Sequence, residues 1–182
     1  MYNRPTMRTL IAAVAVAVAV PACAASRHDV AVAKAARYRG DQLEMFRGVR
    51  AAIADKYTIE QSDETTLRVV TTGRWYTPEG LGASERNGDM RDVPDRSIHL
   101  RMIVRLRPRD PDGWAVEIEP AMMRYFTGRP DPDFLTLDDP SVPGWARGRV
   151  DQLYSAIHRM LERYQVASPP GPATQAPEAP AR

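Results

Sequence analysis

Between Ser97 and Arg107 apolar and polar side chains alternate with one exception. Ile98, Leu100, Met102, Val104 and Leu106 fall on one side, and His99, Arg101, Arg105 and Arg107 on the other. Ile103 alone is out of place. A period of two over this length predicts a strand with one face on a core. Pro108 to Gly113 is a turn by composition. The chain then returns with Trp114, Val116 and Ile118 inward and Glu117 and Glu119 outward. The expected hairpin carries an arginine row against a glutamate row, and opposite charges across strands contribute about 0.2–1 kcal/mol a pair. Met122 to Phe126 is expected to resume the strand after a break at Pro120.

The rest of the chain supplies what packs on that hairpin. Thr65 to Tyr76 predicts a second strand, with Leu67, Val69, Thr71 and Trp75 on one face and Arg68, Thr72, Arg74 and Tyr76 on the other. Gly73 inside it marks a bulge. Thr58 to Ser62 is short and β-prone. Asp41 opens a helix, with Glu44 three places on in a box-like pattern, and Leu43, Phe46, Val49, Ile53 and Tyr57 form one stripe. A second helix spans Trp145 to Tyr164, with Val150, Leu153, Ile157, Met160 and Tyr164 in its stripe, widened by Tyr154 and Leu161. Two loops without periodicity, 77–95 and 127–144, separate these elements, and Phe134, Leu135 and Leu137 are expected to tuck the second onto the body. An antiparallel sheet with one apolar face and two apolar helix stripes predicts an α+β fold. The expected form is a two-layer sandwich of three to four strands with two helices on one face.

The single cysteine, Cys23, ends an apolar run that begins at Leu10. Arg4 and Arg8 precede the run and no acidic residue occurs before Cys23. A positive start, a short apolar stretch and small residues before a cut predict a secretory signal over 1–22. The run stops at Pro21, short of the roughly 18 residues that cross a bilayer. Two of the 25 Lys and Arg residues leave with that signal, so the remainder balances the 23 Asp and Glu. A near-neutral chain gives no argument for nucleic acid. Residues 24–39 are small and polar and predict a tether, so that 23–40 is anchor and tether and 41–166 the domain. The Pro- and Ala-rich tail, 167–182, cannot bury enough to order itself.

Chemistry has few footholds. His28, His99 and His158 are scattered, and a metal site needs about three or four convergent ligands. Asp131, Asp133, Asp138 and Asp139 lack the glycine and glutamate that a calcium loop of the EF-hand type places at fixed positions. Ser84 is not in a nucleophile elbow. No cofactor motif occurs, and Glu117 and Glu119 read as surface partners of arginines rather than as an acid–base pair. The expectation is a protein that is not an enzyme, with no catalytic residue, no metal and no cofactor. Arg101, Arg105 and Arg107 form a possible face for a partner or an anionic ligand.

Val20-Pro21-Ala22-Cys23 resembles the lipobox of bacterial lipoproteins, with Pro21 in place of the usual small residue. The resemblance implies cleavage before Cys23 and attachment of diacylglycerol to its thiol, and Ala24 rather than Asp after it implies the outer membrane, facing the periplasm. The mature chain is similar in pattern to two groups of envelope lipoproteins. Leu43 to Tyr57, Thr58 to Ser62 and Val69 to Trp75 echo BamC-like modules of the β-barrel assembly machinery. The order helix, sheet, long helix and Pro-rich tail over 41–182 echoes LptE-like lipopolysaccharide-assembly lipoproteins. Both imply a non-catalytic binding or assembly module, held to the membrane through lipidated Cys23, with an envelope protein as partner. One alternative is a binder of lipopolysaccharide or peptidoglycan through the arginine face. The other is a secreted hydrolase with its site under the 77–95 loop.

Overall fold

The alternation at Ile98–Leu106 forms the middle of the sheet. The computed structural model describes residues 26–83, 93–109 and 113–166. The predicted signal, Cys23, Ser84 and the rest of 84–92, the hairpin turn 110–112 and the tail from 167 lie outside them. In chain order the elements are α1 (Arg27–Ala35), α2 (Gln42–Ala54), β1 (Ile59–Asp63), β2 (Arg68–Thr71), β3 (Arg74–Tyr76), β4 (Gly82–Ala83), β5 (Ile98–Arg109), β6 (Gly113–Arg124), β7 (Asp133–Leu135) and α3 (Gly144–Leu161). A 3-10 turn, Glu162–Tyr164, follows α3. The class is α+β, with three helices and one seven-stranded sheet in antiparallel pairing. Seven strands replace the three to four expected, because β4 and β7 are too short to show a period and the strand over 65–76 is two.

The division of that strand has a clear cause. β2 and β3 lie end to end along the same edge of β5. Arg68 pairs with Arg105 and Val70 with Ile103, whereas Arg74 pairs with Leu100 and Tyr76 with Ile98. The two registers differ by one residue, so Thr71 to Gly73 carry a bulge. Thr71 repairs the ladder there: its buried Oγ1 accepts the Met102 N–H at 2.9 Å. Thr72 N–H turns away to the Thr58 carbonyl, also at 2.9 Å. One extra residue reverses the facing of everything beyond it. Leu67, Val69 and Thr71 face the core as predicted, but past the bulge Tyr76 enters the core and Trp75 crosses to the other face.

β5 and β6 pair without slippage from Ile98↔Arg124 to Arg109↔Gly113, straight through Pro120. The expected break does not occur. Trp114 N–H donates to the Tyr38 carbonyl and Ile118 N–H to Tyr154 Oη, so the even-numbered amides of β6 point away from β5. Pro120 shares that parity, and its missing N–H falls on an edge where no ladder bond is lost.

The helices follow their caps. Asp41 accepts Leu43 N–H and Glu44 N–H at 3.0 and 2.9 Å. Glu44 does not reach back to close a box; it accepts the Tyr164 hydroxyl at 2.9 Å instead. The complete box belongs to Ser26 and Asp29, which bond each other's backbone at the start of α1. The segment read as a tether is therefore a capped helix packed on α3. Ala33 is buried, Lys34 meets Asp151 at 2.6 Å, and Ala36 and Tyr38 lie in the core. Met45, Phe46, Val49 and Ile53 from α2 meet Val150, Leu153, Ile157 and Leu161 from α3 over Leu100, Met102, Val104 and Ile118. Each such side chain contributes about 1.5–3 kcal/mol on burial. Met160, predicted in the stripe, is half-exposed, and Leu161 takes its place.

Tyr38 is 1% exposed, and its hydroxyl shares a 2.9 Å hydrogen bond with His158 Nδ1. Burial pushes its pKa up from 10.0 to about 12. The unfolded chain gives up this proton first, so the stability it contributes is complete below pH 10 and is lost as pH rises through 12. Burial also raises Tyr57, with Arg149 pulling the other way. Tyr38→Phe is expected to cost about 0.5–1.5 kcal/mol at neutral pH, since His158 loses its partner. It should also flatten the alkaline fall in stability, as read by urea unfolding at a series of pH values.

Glycines give a paired test of the bulge and of α3. A methyl on Gly73 meets the His99 ring at Cε1 and Nε2, whereas one on Gly148 meets nothing within 4 Å. Gly73→Ala is expected to destabilise by about 1–3 kcal/mol. Gly148→Ala, inside a helix, should stabilise by about 0.4–1 kcal/mol. Denaturant midpoints of the two variants check both signs.

Candidate interaction face

The side chains of the sheet that point away from the core cluster fall into two zones. The first is a lattice of charges. Arg105 stands opposite Glu117 in register, yet its Nη1 bonds Glu119 on the diagonal at 2.6 Å. Arg107, opposite Ala115, takes Glu117 at 3.0 Å. Arg101 reaches across to Glu60 on β1 at 3.0 Å. Each of the three arginines predicted as a binding face thus rests on a carboxylate. The same face brings in Arg68, which donates to Gln61 Oε1 at 3.3 Å. The Nε atoms of Arg68 and Arg101 are buried without a partner among the described residues, the cost of laying these stems flat across the strands.

The second zone is aromatic and follows from the bulge. Trp75 pairs with His99, with ring centroids 5.0 Å apart, and meets Tyr125 edge-on at 6.3 Å. It is 7% exposed. Gly73 makes room for the His99 ring. On the other side of His99 stands Met123, and beyond it Phe134 on β7. Phe134 is 82% exposed. It was expected to tuck inward with Leu135 and Leu137, but strand alternation sends Leu135 into the core and turns its neighbour out.

A separate cleft of about 410 Å³ opens beside the described part of the 77–95 loop, lined by Pro78, Arg96, Ile98, Arg124, Phe126, Ser141 and Pro143. Arg96 holds a left-handed backbone, φ 62°. Arg124 donates to the hydroxyl and carbonyl of Ser141 at 3.1 and 2.7 Å. Hydrogen bonds from Ser141 hold the Asp139 carboxyl below its usual range. The described part of the loop is clamped to α3: Trp145 Nε1 donates to the Pro78 carbonyl at 2.8 Å, and Arg149 Nη2 to the Gly80 carbonyl at 3.2 Å.

Among the described residues, groups for acid–base or metal chemistry are not gathered. His28 is on the outside of α1, His99 against Trp75 and His158 on Tyr38. Asp133 pairs with Arg129 at 3.2 Å and Asp139 holds Ser141 N–H at 2.7 Å. Among the described residues no group of three or more His, Cys, Asp or Glu is placed to hold an ion, and no helix is long and apolar enough to cross a membrane.

Sequence reasoning found the arginine row and its glutamates but not the aromatic zone. The signal for it was present: carrying the bulge at Gly73 through to the facing of Trp75 would have moved that ring to the outer face. The Arg96–Arg124 cleft had no signal, because its walls come from segments without periodicity.

The charge lattice sets one expectation. A double-mutant cycle on Arg105 and Glu119 should give a coupling of about 0.2–1 kcal/mol, shrinking at high salt. Arg105→Ala alone should cost more than Glu119→Ala, because the arginine side chain is 23% exposed and the glutamate 61%. Urea unfolding at low and high salt measures both.

No protein-family model matches the chain, and no curated protein matches it significantly.

Proposed function

We propose that this chain is a lipid-anchored protein of the bacterial cell envelope whose domain is a non-catalytic binding or assembly module at the outer membrane. Helices α2 and α3 cover one face of the sheet in a two-layer arrangement, and the other face is given over to a partner. The observation that carries the reading is Phe134, an aromatic ring 82% exposed beside Met123 at the margin of the Trp75–His99 cluster. A lone exposed aromatic next to packed rings is the kind of residue that anchors a protein interface. The arginine–glutamate lattice farther along the same sheet supplies register and discrimination more than affinity. The lipobox-like sequence ending at Cys23 supports the anchor. Tethering to a membrane raises the effective concentration of the domain near a membrane partner. The pattern-level similarity to envelope-assembly lipoproteins points the same way.

A second reading, capture of an anionic envelope ligand such as lipopolysaccharide or peptidoglycan, is favoured by the cleft into which Arg124, bonded to Ser141, and Arg96, only loosely paired with Asp95 at 3.8 Å, both open. It predicts salt-sensitive binding that Arg124→Glu abolishes and Arg105→Glu spares.

The first reading is tested in cells with a photo-crosslinking residue at position 134, and at Ser62 on β1 as control. Intact mass and detergent partitioning are measured for wild type and Cys23→Ala. A diacylglyceryl increment lost in the variant, with a discrete crosslinked protein at 134 and none at 62, is the expected result. An unmodified chain, or crosslinks equal at both positions, would overturn it.

A further inference from the structure

The anchor that the proposed function rests on leaves the domain almost no slack. Ser26 is already the cap of α1, and α1 is fixed to α3 by the Lys34–Asp151 ion pair and by buried Ala33. Only Ala24 and Ala25 separate Cys23 from that packed residue. Three steps of extended chain span at most about 10 Å. The polar layer on each side of a bilayer is about 5–8 Å deep. Acyl chains on Cys23 therefore place the start of α1 in or beside the head groups, and the domain lies on the membrane rather than beyond it.

What α1 presents there suits such a surface. Arg27, Val30, Ala31 and Lys34 recur at the spacing of one helix face and line a groove of about 470 Å³ against Gly148, Asp151 and Gln152 of α3. Arg27 is exposed and has no ionic or hydrogen-bonding partner among the described residues. Asp151 is neutralised by Lys34 at 2.6 Å. The carboxylate of α1, Asp29, is folded back onto Ser26, whose side chain and N–H (3.1 Å) hold its pKa below the usual range and keep it charged. His28 and Val32 flank the groove on the exposed side of the helix. Among the described residues, Arg27 is thus the one cation of the groove that meets no carboxylate, and a basic residue near an anionic bilayer contributes about 1 kcal/mol.

We propose that the α1–α3 groove is the membrane-facing surface of the domain and that it receives phosphate head groups of the bilayer on Arg27, beside the Lys34–Asp151 pair. The inference rests on lipidation of Cys23. It orients the molecule: the sheet edge formed by β1 and β4, the strands farthest from β6 in strand order, points away from the bilayer.

The test uses the full lipidated chain in vesicles of phosphatidylethanolamine and phosphatidylglycerol. Acylation consumes Cys23, so a single introduced cysteine accepts a nitroxide. Ala31→Cys reports the groove and Ser62→Cys the far edge. Collision rates with oxygen, which partitions into lipid, and with a water-soluble nickel chelate are compared at each site. The expected result is an oxygen-to-nickel ratio several-fold higher at 31 than at 62, lowered at 31 by Arg27→Glu. A 20-residue Gly/Ser insert after Ala25 should lower it as well. Intact mass is read on the same samples. Absence of the acyl increment would overturn the anchor reading and this inference together. An acylated chain with equal ratios at 31 and 62 would overturn this inference alone.

Discussion

Strand β5 has to be paired along both sides, and on one side no single strand does it. β2 and β3 share that edge, and the one-residue surplus between them sets the facing of the β3 side chains, Arg74 to Tyr76. The core gains Tyr76, which stacks with Trp145 at 5.2 Å and so ties the sheet to the start of α3. The outer face gains Trp75, which organises His99 and Tyr125 around it. Thr71 makes the irregularity tolerable by lending its hydroxyl to the Met102 amide, which an unrepaired bulge would leave buried and unpaired.

The opposite flank of the sheet is governed by a different need. An open edge of amides invites pairing with another chain, and β6 presents one over most of its length. Tyr38 pairs with its first turn, Tyr154 reaches its middle, Pro120 removes a donor, and β7 covers its end. These devices come from four separate parts of the chain. That is why the segment before α2 is structural, and why α3 carries a tyrosine at a position that a purely apolar stripe would fill with leucine.

Residues with a strong period were legible in the sequence. The stripes of α2 and α3, the alternation of β5 and the inward set of β6 all came from spacing alone, because burial on one face imposes that spacing. The arginine–glutamate pairing was also legible in kind, although the diagonal choice of partners depends on strand twist. What escaped had another origin. Phe134 and β7 are three residues long, below any period. α1 buries mainly alanine, so its stripe carries little hydrophobic contrast, and only the Ser26–Asp29 pair announced it. Pro120 reads as a break unless the edge it lies on is known, and that edge is a property of the whole sheet.

The two ends of the described chain meet. Tyr38 is bridged to Trp114 on one side and to Gln165 on the other, with Arg39 N–H on the Tyr164 carbonyl at 2.8 Å and Val166 N–H on the Arg37 carbonyl at 2.9 Å. Tension applied between the segment leading into α1 and the segment leaving at Val166 is thus carried by the α1–α3 contact and by a clasp of two backbone bonds. The sheet stands outside the line of pull. A tug on either end would open the clasp before it reached the β5–β6 ladder, so the molecule has a mechanical weak point at its seam, away from the face that bears Phe134.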